Sequence, residues 1–171
     1  STRSLTLGSG SWNITGSFTF DGSGVAGGAG LFINGSSQNP TMTISGDVGG
    51  ADNSGLEVVS LDMGSGTWNV GGNFNLTFIP TFNHNSGTLV MNGTGTLTSN
   101  GKTLNNVQVN TSGTVTLANA PHAINGNFDL TAGTLTSGSS TPTIAGNVTL
   151  ATGATFNADT STYAMSGTSK N

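Results

Sequence analysis

The sequence predicts an all-β chain wound as a right-handed parallel β-helix, or β-solenoid, of roughly seven to eight coils of about 20–25 residues, with essentially no α-helix. Three observations lead there. Gly (28), Thr (28), Ser (21) and Asn (20) supply 97 of the 171 residues, a composition of turns and exposed strands rather than helices. Short motifs recur at near-constant offsets. Between them, apolar and polar residues alternate.

The alternation gives the strands in order. Trp12, Ile14, Phe18 and Phe20 share one parity, as do Trp68, Val70, Phe74, Leu76 and Phe78 further on. Val115 and Leu117, then Ile124, Phe128 and Leu130, then Ile144, Val148 and Leu150 repeat the pattern. A period of two means strands with one buried face, so Trp12, Ile14, Phe18, Trp68, Val70, Phe74, Ile124, Phe128, Ile144 and Val148 are the expected core. No window carries apolar residues at helical spacing without an interrupting Gly or Asn.

The repeats choose the architecture. Residues 5–18 (LTLGSGSWNITGSF) and 61–74 (LDMGSGTWNVGGNF) share eight of fourteen residues at an offset of 56. An apolar-x-Gly-x-apolar unit spans Ile14–Phe18, Ile44–Val48, Val70–Phe74, Ile124–Phe128 and Ile144–Val148, and Gly-Thr-apolar recurs at Gly87, Gly113 and Gly133. The C-terminal period is 20 to 21 residues, while earlier turns carry longer excursions. Coils stacked about 4.8 Å apart place like on like, which is what reuse of one motif requires. Hairpins in a sandwich or barrel are the competing reading, but they gain nothing from a constant offset with unchanged strand direction. Gly16, Gly72, Gly126 and Gly146 are the expected turn glycines, and Asn73, Asn127 and Asn147 are expected to stack as amide ladders. The chain reads as one domain over 1–171, with irregular coils or an inserted loop at 21–60.

Charge narrows the functions. Only Arg3, Lys102 and Lys170 are basic, against seven acids, and clustered cations for nucleic acid are lacking. There is no cysteine, hence no disulfide or thiolate metal site, and no apolar run long enough for a membrane span. No cofactor motif is present. The acids are scattered, the densest group being Asp47, Asp52, Glu57 and Asp62, without an assisting cation nearby, so glycosidic chemistry has no visible carboxylate pair. Asp47, Asp52 and Asn53, in a Gly-rich stretch, form a weak calcium candidate without EF-hand spacing. His84 and His122 read as surface or corner histidines, and Trp12 and Trp68 as core rather than a sugar-stacking pair. Two threonine columns are expected, Thr88/Thr114/Thr134/Thr155 and Val90/Thr116/Thr136/Asn157. They resemble the ice-facing surface of β-solenoid antifreeze proteins, but are too short for an ice plane. Six Asn-x-Ser/Thr sequons are what this composition yields by chance.

Units such as GTWNVGGNFNL, GTLVMNG, GKTLNNVQV and GTVTLA, following one another, resemble the Gly/Asn/Thr-rich β-helical repeats of large bacterial surface proteins and adhesins. That resemblance implies an extracellular or cell-surface location and a passive, elongated role. The expected function is therefore a non-catalytic structural segment of a filament or stalk. Its partners would be copies of itself stacked head to tail, or flanking repeats of a longer chain. An adhesin module binding glycans is the alternative, with an ice-binding protein or a polysaccharide-active enzyme behind it.

Overall fold

The computed structural model describes residues 3–20, 29–50 and 56–167. They form β1 (Arg3–Thr6), β2 (Ser11–Ile14), β3 (Phe18–Phe20), β4 (Ala29–Asn34), β5 (Thr41–Ile44), β6 (Val48–Gly50), β7 (Leu56–Asp62), β8 (Thr67–Val70), β9 (Phe74–Asn75) and β10 (Thr81–Asn83). There follow β11 (Thr88–Met91), β12 (Gly95–Thr98), β13 (Thr103–Leu104), β14 (Asn106–Leu117), β15 (Pro121–Ile124), β16 (Phe128–Thr136), β17 (Thr141–Ile144), β18 (Val148–Leu150), β19 (Thr155–Asn157) and β20 (Ala164–Met165). Every pairing between them is parallel, and no helix occurs among the described residues. The chain is a parallel β-helix.

Its coils have three sides. One is the ladder β2-β5-β8-β11, continued by the first half of β14, the first half of β16, and β18. A second is β3-β6-β9-β12, continued by the second halves of β14 and β16 and by β19. The third side is split into β1-β4-β7-β10 and β13-β15-β17-β20, which do not pair with each other. The strands of the first two sides are joined by short corners, so the chain turns without hairpins.

One inward column shows how the coils shorten. Trp12 pairs with Met42, Met42 with Trp68, Trp68 with Leu89, Leu89 with Val107, Val107 with Phe128 and Phe128 with Val148. The steps are 30, 26, 21, 18, 21 and 20 residues by those numbers. The offset of 56 between the two longest repeats is thus two coils, and Trp12 and Trp68 lie in one column with Met42 between them. Within 21–60, residues 29–50 form β4, β5 and β6 in register with their neighbours, with one irregularity between Ala29 and Gly30.

Inward side chains make one continuous core from Leu7 to Ile144. Trp68, Val70, Phe74, Ile124, Phe128 and Ile144 are buried in it. Trp12, Ile14 and Phe18 are half-buried, because they belong to the first coil and pack on one side only. Val148 departs from its core assignment and is 39% exposed, since β18 pairs with β16 and with no described strand beyond it. Trp68 donates its indole Nε1–H to the Met63 carbonyl at 3.0 Å, which satisfies its one polar group inside the core.

The apolar-x-Gly-x-apolar unit is a corner, used in two places. At Ile14–Phe18, Ile44–Val48 and Val70–Phe74 it joins the first side to the second, whereas at Ile124–Phe128 and Ile144–Val148 it joins the third side to the first. Phe74 and Phe128 therefore occupy different columns despite matching motifs. At these corners one coil rests on the backbone of the coil before it. A Cβ on Gly146 would lie 2.3 Å from the Gly126 carbonyl oxygen, and one on Gly93 only 1.9 Å from that of Gly71.

Candidate functional site

The residue after the corner glycines Gly16, Gly46, Gly72 and Gly126 carries a side-chain oxygen, as does Asn106 at the equivalent place, and these oxygens tie the coils together. Ser17 Oγ accepts the Asp47 N–H at 3.0 Å, Asp47 Oδ1 accepts the Asn73 N–H at 2.6 Å, and Asn73 Oδ1 accepts the Thr96 N–H at 2.8 Å. A second staircase stands at the other corner, where Asn106 Oδ1 accepts the Asn127 N–H at 2.9 Å and Asn127 Oδ1 accepts the Asn147 N–H at 3.0 Å. This corrects the expected amide ladder. Each side-chain oxygen accepts a backbone N–H of the next coil, because a corner N–H has no strand partner and must be satisfied locally, and only between Asp47 and Asn73 of these pairs is a side-chain to side-chain bond added. Asn73 also stands apart from Asn127 and Asn147, on the first staircase. The spacing Gly-[Ser/Asp/Asn]-apolar carried this signal in the sequence.

Asp47 is consequently a structural acceptor, further bonded to the Asn73 amide at 3.1 Å. Its calcium partners Asp52 and Asn53 lie outside the described residues, and no group of three or more potential metal ligands occurs among the described ones. Asp62 Oδ1 accepts the Gly64 N–H and the Asn85 amide, and Asp159 Oδ2 accepts the Gly138 N–H, so both cap turns. Asp129 lies between Gln108 and Thr149 along one column.

The two histidines differ. His122 is buried, 1% exposed, and not the surface or corner residue its Pro-His context implied. Its Nε2–H donates to the Ala118 carbonyl at 3.0 Å, and Nδ1 accepts from the Ser99 hydroxyl at 2.9 Å. Burial pushes its pKa below the ordinary 6.5, only partly offset by the bond to Ala118. The Ser99–His122 contact has the reach of a nucleophile and base, but Ser99 is fully buried and out of a substrate's reach. His84 is half-buried at a turn, with Nδ1 accepting the Ser86 N–H at 3.1 Å.

The threonine columns are also redrawn. Thr114, Thr134 and Thr155 do stack, and beside them stand Thr96, Thr116, Thr136 and Asn157. Thr88 and Val90 instead lie on the first side, paired with Asn106 and Gln108. The Gly-Thr-apolar motif that had aligned them opens a first-side strand at Thr88 but a second-side run at Thr114.

Four of the six large hydrophobics that are exposed among the described residues lie on the last coil. Leu150 is 57% exposed, Met165 43%, and Val148 and Phe156 39% each. With Phe128, Leu130, Leu135 and Tyr163 they surround an apolar cavity of about 280 Å³ that opens at this end. Tyr163 stacks edge-on to Phe156 at 5.3 Å and its hydroxyl meets Ser137 Oγ at 2.6 Å, while burial raises its pKa. At the opposite end Leu5 is 39% exposed. No protein-family model matches the chain, and neither a curated protein nor a solved structure matches it.

Proposed function

We propose that the chain is a non-catalytic structural module of a cell surface or extracellular matrix, a segment of a stalk or filament that lengthens by stacking further coils on its ends. The observation that carries this reading is the open apolar end. Val148 and Leu150 sit at the head of inward columns that are buried at every interior rung, Phe156 sits over buried Leu135 and Val115, and the next coil would bury all three too.

The magnitudes favour weak, concentration-dependent growth. The exposed fractions of Val148, Leu150, Phe156 and Met165 amount to somewhat under two whole side chains. Their burial is worth about 3–5 kcal/mol at the usual value per apolar side chain. Association of two bodies costs about 4–15 kcal/mol, so the contact also needs Leu5, Trp12, Ile14 and Phe18 and a row of backbone hydrogen bonds. A contact of this head-to-tail kind does not close on itself and therefore propagates.

Negative-stain microscopy over a concentration series tests the reading. Rods should lengthen in steps on the order of 30 Å, the span of the β2-to-β18 ladder. Leu150→Lys, which places a charge in the contact, should leave single modules. Single modules for the unmodified chain at every concentration would contradict end stacking.

A further inference from the structure

The split third side creates a second feature, unrelated to the ends. After β9 the chain spends thirteen residues reaching β11 from Asn75 to Thr88, but only eight from Thr98 to Asn106 in the next coil. The chain therefore takes a longer path across the third side at β10 than at β13. Where β10 stops and β13 begins, the two half-sheets leave an open polar cleft of about 750 Å³, within the size range of small-ligand sites.

We propose that this cleft binds an acidic saccharide carrying a uronate carboxylate. Of the chain's three Lys/Arg and two His side chains, Lys102 and His84 both line it, and among the described residues no carboxylate does. Among the described residues Lys102 makes no ion pair with a carboxylate. Asp62, which does not line the cleft, has its Oδ1 bonded to the amide of the lining residue Asn85 and to the Gly64 N–H. His84 Nδ1 accepts the Ser86 N–H, so its proton is on Nε2, a donor left for a ligand.

The remaining groups favour a sugar over an acidic peptide. Asn83, Asn125, Thr81 and Thr103 offer amides and hydroxyls that both donate and accept, matching hydroxyls that do the same. A peptide would instead need a sheet edge to extend, and β10 and β13 are only three and two residues long. Both rims are tight mirror-image turns. Gly87 N–H returns to the His84 carbonyl over Asn85 (φ 43°) and Ser86 (φ 64°), and Lys102 N–H returns to the Ser99 carbonyl over Asn100 (φ 49°) and Gly101 (φ 75°). Asn is well suited to the first left-handed position of such a turn, whereas Ser86 holds a position that turns usually give to Gly, and the bond from Gly87 closes the turn that carries His84 into the cleft lining.

Calorimetric titration of the full chain with trigalacturonate, neutral galactotriose and tetraglutamate tests the assignment. Trigalacturonate should bind saturably, galactotriose more weakly and tetraglutamate not at all. Lys102→Gln should weaken trigalacturonate by about tenfold or more while leaving the thermal transition in place. In the unmodified chain, the His84 ring resonances should shift on titration and those of His122 should not, which locates the site even if the variant fails to fold. Absence of trigalacturonate binding, equal binding of galactotriose, equal binding of tetraglutamate, or a silent His84 would each overturn the proposal. Module stacking is read separately, by particle length, so either idea can fail alone.

Discussion

Replacing Gly93 by Ala probes the contact between coils with one added methyl. Its Cβ would lie 1.9 Å from the Gly71 carbonyl oxygen and 2.7 Å from the carbonyl carbon, so one coil must move off the other by more than 1 Å. The atoms it meets are backbone, which cannot rotate away. The movement strains the Asn92 N–H to Val70 carbonyl bond, 3.0 Å long, that seats β11 on β8. Losing one such bond costs about 1 kcal/mol and overpacking about 1–3 kcal/mol, for a total of about 2–4 kcal/mol. Gly10→Ala is the matched control, because a Cβ there meets nothing within 4 Å, the first coil having no described coil beneath it. That change should stay within about 0.5 kcal/mol. Urea unfolding followed by circular dichroism measures both, and equal midpoints for the two variants would refute the claim that corner glycines are selected by close stacking.

Other changes test other parts. Trp68→Ala removes the largest fully buried side chain and should cost about 3–5 kcal/mol in the same assay. Asn127→Ala deprives the Asn147 N–H of its acceptor on the second staircase and should cost about 1 kcal/mol, with faster amide exchange at Asn147. His122 is held neutral by burial, so the unfolded chain takes up a proton that the folded one refuses. Stability is then full above pH 6.5 and is lost as pH falls below it toward the folded value. Unfolding midpoints measured on both sides of that pH should fall on the acid side, and more steeply than in His122→Asn.

The parallel coils were legible because period-two alternation and a repeated motif both survive in one dimension. The burial of Trp68, Phe74 and Ile144 follows directly from their parity. What stayed hidden depends on neighbours one coil away. The surroundings of His122 are set by Ser99, 23 residues earlier, and nothing in Ala-Pro-His-Ala records it. The shift of the corner motif from one side of the coil to another is equally invisible, since Ile14–Phe18 and Ile124–Phe128 read alike while their partners differ. The cleft arises from the same shift, as a difference in path length between two coils rather than a motif.

The central claim is that successive coils lie in register, one rung apart whatever the number of residues between them. Asn13, Thr43, Asn69, Val90, Gln108, Asp129 and Thr149 form one column along the first side. Nitroxide pairs at Asn13/Gln108, Thr43/Thr149 and Asn13/Thr149 stand four, five and six rungs apart. Pulsed electron paramagnetic resonance should return distances of about 19, 24 and 29 Å, a constant increment of about 4.8 Å per rung. Distances that fail to rise with rung number, as strands paired through hairpins would give, would contradict the stacked-coil account.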